Sequence, residues 1–496
     1  MDSCNYKEVK SVEIVEKEDE STKSILKQIL ISSAVWAQFF MGGMCVGAPT
    51  VFIPQIRKEA NSTEIIDEEM GSWLFSTSGF AMYPWLIILP LFTKRYGRKL
   101  PQIITAISSM AIFIILYYSQ SVIQILVSEV LQGFLYAGNV TVRILIVTDY
   151  TSPKYRGIFL AIKSASFFWG IWVANAIGTF FYWKNIAILG FICAVYTLNV
   201  LLWPESPYWL ASKGRFDECR KSFRWIHGIN AQSERELKEL IKVQTERIRL
   251  ENEYGKMGFI EMVKSSEFYK PVSLSAVAII QYHFSGKVVI SLYILDIFKS
   301  ITADEWSAYM AMLILDGVTV FGMYVGSFLS RILKRRTLYM SCSFTGIAFL
   351  LTISLYLFLV RLNALGENHF VTIALLCLYS ISISCGPLIL SISLYGELIP
   401  QKFQAISYTL VSLTFGSFYS TLIKVSPSIF RTFGIDGTFL FYAITCGLCT
   451  LYLYLYLPET KNKTQQEIAA CFKNKNEVIQ NDNTSAVLLT NKTYLK

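Results

Sequence analysis

Apolar runs of about twenty residues recur along the whole chain, and they constrain its fold more than any other feature. A helix of that length crosses the ~30 Å hydrocarbon core of a bilayer and satisfies its own backbone hydrogen bonds there. Only 16% of the 496 residues are charged, whereas soluble domains carry roughly 25%. The sequence therefore predicts an all-α integral membrane protein.

Twelve of these runs are divided into six and six by a charged stretch. The membrane helices are predicted near residues 29–56, 72–93, 101–120, 122–148, 158–182, 184–203, 271–297, 306–331, 336–360, 369–396, 405–427 and 436–457. The predicted segments are a tail (1–28), a six-helix bundle (29–203), a linker (204–270), a second bundle (271–457) and a second tail (458–496). Two similar bundles are typical of transporters that open alternately to the two sides of a membrane.

A short sequence motif that follows an apolar run occurs twice, and we call each copy a phrase. Residues 204–210 read PESPYWL, and residues 458–464 read PETKNKT. Because the two copies close the two predicted bundles, we expect the halves to be related and pseudo-symmetric.

The charged loops predict an orientation. Basic residues cluster at span ends on one side, for example at Lys94, Arg95 and residues 334–336, whereas the loop from Arg57 to Met70 carries five acidic residues. This is the positive-inside pattern, so both termini and the linker are predicted to be cytosolic. The net charge of +9 is accordingly explained by membrane orientation rather than by nucleic-acid binding.

Three Asn-X-Ser/Thr sequons differ in their predicted accessibility. Asn61 lies in the acidic outer loop, so we expect it to be glycosylated. Asn483 and Asn491 lie in the cytosolic tail, which is predicted to be disordered beyond about residue 472. Residues 1–27 are charged and contain no cleavable signal, so the first span is expected to act as the signal.

The linker is predicted to be an amphipathic cytosolic helix. Leu237, Leu240, Ile241 and Ile248 recur at helical spacing among charged residues. This pattern favours a solvated connector over a docking site for a protein partner.

The sequence disfavours an enzyme. It contains three histidines and no nucleotide-binding glycine loop with its lysine, and most of the ten cysteines lie within apolar spans. Cys446 and Cys449 have metal-binding spacing but no partner ligands nearby. We therefore expect no cofactor, no metal and no catalytic site.

Charged residues of both signs lie at the predicted inner ends of the spans in both halves. We expect them to pair across helices and hold an inner gate shut, although anchoring in lipid headgroups is the alternative. These residues are Arg98, Asp149, Arg156 and Glu205 in the first half, and Arg335, Arg336, Glu397 and Glu459 in the second.

The order Gly-Arg, acid, Arg-Gly, Pro-Glu-Ser-Pro resembles the sugar porter family of the major facilitator superfamily over residues 30–470. The likeness is greatest to insect facilitative sugar carriers of the trehalose-transporter group. It implies the major facilitator fold of twelve helices and an inner salt-bridge network made of the charged residues above. Several members of the family pattern are replaced, at Lys94, Tyr208, Arg331, Lys334 and Gln404, so the gate is expected to open more easily.

The residues that the resemblance assigns to the cargo are altered further. Family members carry two Gln and an Asn in span seven, where this chain has Tyr282, His283 and Val288. Gln281 lies one residue early, and a slip of one residue turns a helix by about 100°. Losing amides that pair with sugar hydroxyls costs about 1–3 kcal/mol for each unpaired group. The candidate substrate-binding residues are Ser164, Tyr282, His283, Ser285, Lys287, Tyr293, Gly386 and Ser391.

Charged side chains inside the predicted spans are costly and are expected to face a cavity or to pair. Lys287 is a candidate partner for Asp316, which is the acidic group placed deepest in a span. Arg143 and Lys163 lie near the inner side and are expected to snorkel.

The favoured function is facilitative transport of a sugar, hexose or trehalose, by alternating access across the plasma membrane. Proton-linked relatives place an Asp in span one, where this chain has Gly47, Ala48 and Pro49, so downhill transport is the simpler hypothesis. The alternatives are a non-transporting sugar sensor and a carrier of a different small polar solute, with proton coupling through Asp316 or His283 left open. The expected partners are the solute and the lipid bilayer.

Overall fold

The computed structural model describes residues 2–62, 64–254, 259–299, 305–366, 368–399, 403–461, 463, 467–468 and 471–472. The described chain is helical and contains no strand. Its α-helices are α1 (Asp2–Glu59), α2 (Glu68–Ala81), α3 (Tyr83–Tyr96), α4 (Lys99–Tyr118), α5 (Val122–Val140), α6 (Val142–Tyr150), α7 (Pro153–Phe180), α8 (Asn185–Tyr196), α9 (Pro207–Ser212), α10 (Phe216–His227), α11 (Ala231–Tyr254), α12 (Phe259–Lys264), α13 (Ser266–Phe284), α14 (Lys287–Leu292), α15 (Ile294–Lys299), α16 (Glu305–Ile332), α17 (Arg335–Arg361), α18 (His369–Ile383), α19 (Ile389–Leu398) and α20 (Gln404–Tyr456).

Eleven segments of the described chain are long and apolar enough to cross a membrane. Spans 1 to 10 are Thr22–Glu59, Glu64–Tyr96, Lys99–Tyr118, Val122–Tyr150, Tyr155–Phe180, Asn185–Leu202, Ser266–Leu292, Glu305–Ile332, Arg335–Arg361 and His369–Leu398. The last segment, Ile406–Tyr456, is interrupted at Gly434 by a non-helical backbone (φ 72°, ψ 175°). Its length of about 75 Å exceeds two bilayer cores, so it supplies spans 11 (406–433) and 12 (435–456). The predicted twelve crossings are thereby confirmed.

Four spans are interrupted near their middle. Span 2 changes direction at Met82, span 4 breaks at Thr141, and span 7 breaks at Gly286. Span 10 is interrupted by a π-helical turn over Ser384–Leu388, which contains Gly386. Such interruptions in membrane helices are tolerated where protein or a cavity, rather than lipid, surrounds the backbone.

Spans 1 and 5 touch along their backbones. A methyl group added at Gly43 would lie 1.8 Å from the carbonyl oxygen of Phe167, and one at Gly170 would lie 2.0 Å from that of Phe40. Small residues permit such close approach of membrane helices. The rotation of each helix about its own axis is therefore set by its partner.

The linker helices α9–α11 pack together instead of lying free in solvent. Trp209, Leu210, Phe223 and Leu237 form a small buried cluster, with Leu240 against it. The predicted apolar stripe of α11 therefore covers the first two linker helices. We call the end of the molecule that carries this linker the linker end, and the opposite end, which carries the exposed Asn61, the far end. The predicted disorder of the tail beyond residue 472 and its two sequons fall outside the described residues.

Candidate functional site

In the first half, the carboxylate of Glu205 lies at the linker end, against the start of α4. Its carboxylate accepts hydrogen bonds from the backbone N–H groups of Arg98 (2.7 Å), Lys99 (3.2 Å) and Ser206 (2.8 Å). An anion is favourable at this position because the first N–H groups of a helix have no partner within it. The phrase that ends the first half therefore caps a helix of span 3.

Gly97 permits this approach. Its φ of +93° is a conformation that other residues rarely adopt, and an added methyl group would lie 2.3 Å from Oε2 of Glu205. Glycine alone fits both constraints. The turn after span 2 and the phrase after span 6 are therefore matched to each other.

Asp149 adds a second layer to this network. Its Oδ2 accepts from Arg98 Nε at 3.0 Å and from Ser206 Oγ at 2.8 Å. The side chain of Arg156, predicted to pair with these acids, hydrogen-bonds to the Tyr208 hydroxyl instead, and its Nη2 lies 3.4 Å from the Thr151 carbonyl oxygen. Three of the four predicted members of the first half are thus in contact.

The second half repeats the arrangement. Glu459 accepts from the backbone N–H groups of Arg335 (3.1 Å), Arg336 (3.2 Å) and Lys461 (2.9 Å) at the start of α17. Arg335 also forms an ion pair with Glu397. The guanidinium of Arg336 donates to the Tyr454 carbonyl oxygen at 2.7 Å, so only its backbone belongs to the network. Both ion pairs, in either half, join helices of the same bundle.

At the far end, the two halves contact each other through polar groups. Lys424 Nζ donates to Ser72 Oγ at 2.8 Å, which joins span 11 to span 2. Asn175 Nδ2 donates to Asp316 Oδ2 at 2.7 Å, which joins span 5 to span 8. Thr50 adds a bond of 3.1 Å from span 1 to a carbonyl oxygen of span 7. The far end is therefore closed in this conformation.

A cavity of about 870 Å³, including its open mouth, lies between the two halves. Its wall is mainly aromatic and aliphatic, with Phe39, Phe167 and Phe168 from the first half and Tyr282 and Phe415 from the second. The interrupted helices of spans 2, 4 and 10 all contribute to it. This position, between two bundles, is where a transporter of this architecture binds its solute.

The cavity collects two of the eight candidate substrate residues. Ser164 and Tyr282 line it, and His283 lies directly behind, with its ring 4.7 Å from that of Phe415. Gln281, the amide that lies one residue early, faces away and donates to Ser343 Oγ (3.0 Å) in span 9 and Thr450 Oγ1 (2.8 Å) in span 12. The slip of one residue does remove it from the cavity.

The other five candidates lie elsewhere in the second half. Ser285 and Ser391 bond backbone carbonyl oxygens of their own helices, at 2.7 and 2.6 Å. Gly386 lies in the π-helical turn, and Tyr293 donates to the carbonyl oxygen of Ile423 at 3.1 Å towards the far end. None of these four is among the residues that line the cavity of the described chain.

Lys287 is joined to Asp316 through a hydroxyl group. Its Nζ donates to Ser291 Oγ at 3.0 Å, and that hydroxyl donates to Asp316 Oδ1 at 3.1 Å. The predicted relation between the two charges is therefore indirect. Because Asp316 also accepts from Asn175, this chain of polar groups reaches across to the first half.

A comparison with known protein families covers both halves of the chain. The family model described as "Sugar (and other) transporter" matches residues 39–472. The chain belongs to this family of sugar porters. The recognition made from the motifs is thereby confirmed, and the chain is a membrane transporter rather than an enzyme.

Individual relatives cover most of this transporter. The facilitated trehalose transporter Tret1 of Polypedilum vanderplanki is 24% identical over 455 residues, which are 90% of this chain and 88% of that protein. The Tret1 protein of Bombyx mori is 25% identical with the same coverage. A solved structure of the proton:xylose symporter XylE bound to 6-bromo-6-deoxy-D-glucose matches 91% of this chain and 100% of its own, with a TM-score of 0.73 at 14% identity. That similarity confirms the predicted major facilitator fold.

Some residues of the transporter lie differently from what the sequence predicted. Arg143 and Lys163 were expected to snorkel, but only 0% and 1% of their surfaces are exposed, because both point into the protein. The sequence indicates Asp316 as the acidic residue deepest in a span, yet Glu129 of span 4 is equally buried and accepts from Gln132 Nε2 at 3.0 Å. The apolar flanks of Glu129 in the sequence were the available signal for it.

Arg143 lies just after the break in span 4 and bonds to groups just before it. Its Nη1 donates to the carbonyl oxygen of Leu135 at 2.8 Å and to Asn139 Oδ1 at 2.5 Å. These two contacts join the helical segments on either side of Thr141. No periodicity in the sequence marks Thr141 as a break, and this role could not be predicted.

Proposed function

We propose that this protein is a facilitative carrier that moves a sugar or another small polar solute down its gradient by alternating access. The observation that carries the proposal is one central cavity between two matched halves whose polar contacts with each other, Lys424 with Ser72 and Asn175 with Asp316, lie at the far end. Breaking those contacts while the linker end closes would expose the cavity to the other side.

The matched networks at the linker end support a gating role for the eight charged residues. Glu205 and Glu459 each bind the start of a helix in their own half, so each half can move as a unit. In the conformation described, both ion pairs stay within a bundle, so neither bridges the two halves at the linker end. We place both termini and the linker in the cytosol and the protein in the plasma membrane. Asn61, which is exposed at the far end, is then on the outside and open to glycosylation.

A cysteine pair tests the movement directly. An added Cβ at Gly79 would lie 2.9 Å from Cβ of Ser420, so Gly79→Cys with Ser420→Cys places two thiols near disulfide distance between spans 2 and 11. Oxidation of the double variant should abolish solute flux in proteoliposomes, and reduction should restore it. The two single variants, oxidised in the same way, are the controls. Undiminished flux through the cross-linked protein would contradict alternating access by opening of the far end.

The cargo is tested by uptake. Labelled glucose and trehalose are offered to oocytes that express the unmodified chain or Tyr282→Gln, which returns an amide to the cavity wall. Saturable uptake by the unmodified chain supports sugar transport. Uptake only by the variant, at equal surface expression, would mean that the carrier moves a solute other than these sugars.

A sensor without transport is the second candidate. It is favoured by the aromatic packing where the family has amides, since Tyr282 and His283 lie against Phe415 with ring centroids 6.0 and 4.7 Å away. Sugar binding by the purified protein, together with no sugar flux through the unmodified chain or Tyr282→Gln, would support the sensor over the carrier.

A further inference from the structure

Among the described residues that line the cavity, Lys163 alone is charged. It is 1% exposed, and its ammonium group lies 4.7 Å from the centroid of the Phe39 ring. Within the described chain, this ammonium group has no hydrogen-bond acceptor and no charged neighbour. A buried cation without an anion or hydrogen-bond partners is costly, and the aromatic face compensates only a part of that cost.

Asn139, which also lines the cavity, has a second unpaired donor. Because Arg143 donates to Oδ1 of Asn139 at 2.5 Å, that atom must be the oxygen and the other must be the amide nitrogen. Nδ2 is buried and has no acceptor among the described residues. The buried guanidinium therefore fixes the amide with its donor free.

Tyr419 provides a third donor. Its side chain is 5% exposed and lines the cavity, and its hydroxyl group has no partner in the described chain. The ring is held between aromatic neighbours, with its centroid 6.0 Å from that of Phe415 and 6.4 Å from that of Tyr136. The position of the hydroxyl group is therefore fixed before any ligand binds.

Two of these donors lie along one face of span 1. An added Cβ at Gly42 would lie 2.6 Å from Asn139 Nδ2, and the Phe39 ring beneath Lys163 is one turn earlier on the same helix. Residues three apart are neighbours on a helix surface. The cation and the amide donor therefore approach span 1 at positions about one helical turn apart.

The cavity offers no anion in return. None of the described residues that line it is acidic, and the buried Glu129 is bonded to Gln132. Unpaired buried donors are expected to be satisfied by a ligand acceptor when the site is filled. The charge and the donors fit a carboxylate, and the aromatic wall fits a compact apolar or ring-shaped body.

We propose that the solute of this transporter carries a carboxylate group, which binds Lys163 with Asn139 and Tyr419 as supporting donors. This inference rests on the proposed carrier function and names the class of its cargo. It also gives a reason for the loss of the span 7 amides, since the main contacts would then be Lys163 and Asn139 of the first half, with Tyr419 of span 11 in support.

Binding of matched solute pairs to the purified full-length protein tests the proposal. The pairs are D-glucuronate with D-glucose, and benzoate with benzamide, so that each pair differs by the carboxylate while the body is polar or aromatic. We expect the unmodified protein to bind at least one carboxylate about tenfold or more tightly than its neutral counterpart, as a charged hydrogen-bonded contact implies. Whichever pair shows the preference identifies the body.

Three variants assign the effect. Lys163→Gln should remove the preference for the carboxylate, Lys163→Arg should retain it, and Tyr419→Phe should weaken carboxylate binding alone. Lys221→Gln, which removes an exposed charge from the linker, is the control. Lys163→Gln should also raise the melting temperature of the ligand-free protein, because it removes an uncompensated buried charge; a lysine needed only for folding would lower it.

The outcomes separate this inference from the carrier function. Equal binding of charged and neutral partners, or a preference that survives in Lys163→Gln, would overturn the inference whether or not sugar is transported. Carboxylate binding without flux in proteoliposomes would leave the inference standing and remove the carrier function. Flux of a carboxylate that depends on Lys163 supports both.

Discussion

At the linker end, each half caps the start of a helix with a glutamate, Glu205 or Glu459. The hydrogen-bond network around that glutamate is more complete in the first half. In the first half, Ser206 Oγ donates to Asp149 at 2.8 Å and ties the second acid to the Glu205 phrase. In the second half, the matching Thr460 is 3% exposed and its hydroxyl group has no partner in the described chain. Oε2 of Glu397 is also without one. Duplication has preserved the cap made by each glutamate, while the layer around it has diverged.

The turns before the caps differ in the same sense. Gly97 has φ +93° beneath Glu205, whereas Lys334 occupies the matching turn with an ordinary extended backbone at φ −65°. The second half has therefore lost the positive φ without losing the cap. We expect the first half to be the more rigid bundle and the second to be the one that yields first.

The largest difference should appear at these turns. Gly97→Ala would force a strained φ and displace the Glu205 carboxylate from three N–H groups, at a cost of about 2–4 kcal/mol in the free energy of unfolding. Lys334→Ala should change it by about 0.5 kcal/mol or less, since the side chain is exposed. Thermal unfolding of the purified protein in detergent measures both, and equal losses would contradict the proposed asymmetry.

The next largest difference in stability should appear between substitutions of the second acidic residue of each network, Asp149 and Glu397. Asp149→Ala leaves Arg98 and Ser206 without their acceptor and should cost about 1–3 kcal/mol, reduced somewhat because the pair is 12–15% exposed. Glu397→Ala loses the single contact with Arg335 at a more exposed site, so about 1 kcal/mol or less is expected. The same unfolding measurement compares them. A larger loss for Glu397→Ala would reverse the ranking of the two halves.

The hydroxyl groups of the two phrases should differ by a smaller amount. Ser206→Ala loses the bond to Asp149 and the cap on α9, in which Ser206 Oγ accepts from the Trp209 N–H at 3.2 Å, at a cost of about 1–2 kcal/mol. Thr460→Val removes a buried hydroxyl that has no partner and should be neutral or stabilising. Thermal unfolding of the two variants side by side checks this. Destabilisation by Thr460→Val would indicate a partner for Thr460 in solution.

The smallest effect at neutral pH is expected at His227, which lies in the linker against the first half. Burial, together with the nearby Arg156, lowers the pKa of His227 to about 4, and the ring nitrogen lies 3.2 Å from Ser152 Oγ. The unfolded chain takes up this proton below a pH of about 6.5, so the stability contributed by His227 is present above that pH and is lost as the pH falls to about 4. His227→Gln should flatten the pH dependence of the melting temperature between pH 6.5 and about 4. Parallel curves for the two proteins would remove His227 as the cause.

The fold was accessible from the sequence because its signals are long and repeated. Apolar runs fix the spans, and the recurring phrase at Glu205 and Glu459 indicates the duplication that the two caps reflect. The sequence did not predict that spans 11 and 12 are joined at Gly434 without an intervening loop.

The cavity was predictable only in part, because its wall depends on how each helix is rotated. Ser164 and Tyr282 were found through family resemblance, whereas Asn139 and Tyr419 carry no sequence signal that turns them inward. Lys163 was visible as a charge within a span, but its direction depends on the backbone contact between spans 1 and 5. A break such as that at Thr141 likewise follows from tertiary packing rather than from local pattern.

The backbone contact between spans 1 and 5 has a mechanical consequence. Helices that meet at Gly43 and Gly170 with no intervening side chain have no room to slide or roll, so they form a single stiff beam. Phe39 and Lys163 stand on the two members of that beam, and their mutual geometry is expected to remain constant while the second half swings past them. Spin labels on spans 1 and 5 should report an unchanged distance through the transport cycle. The movement that exposes the solute would then come from the second half.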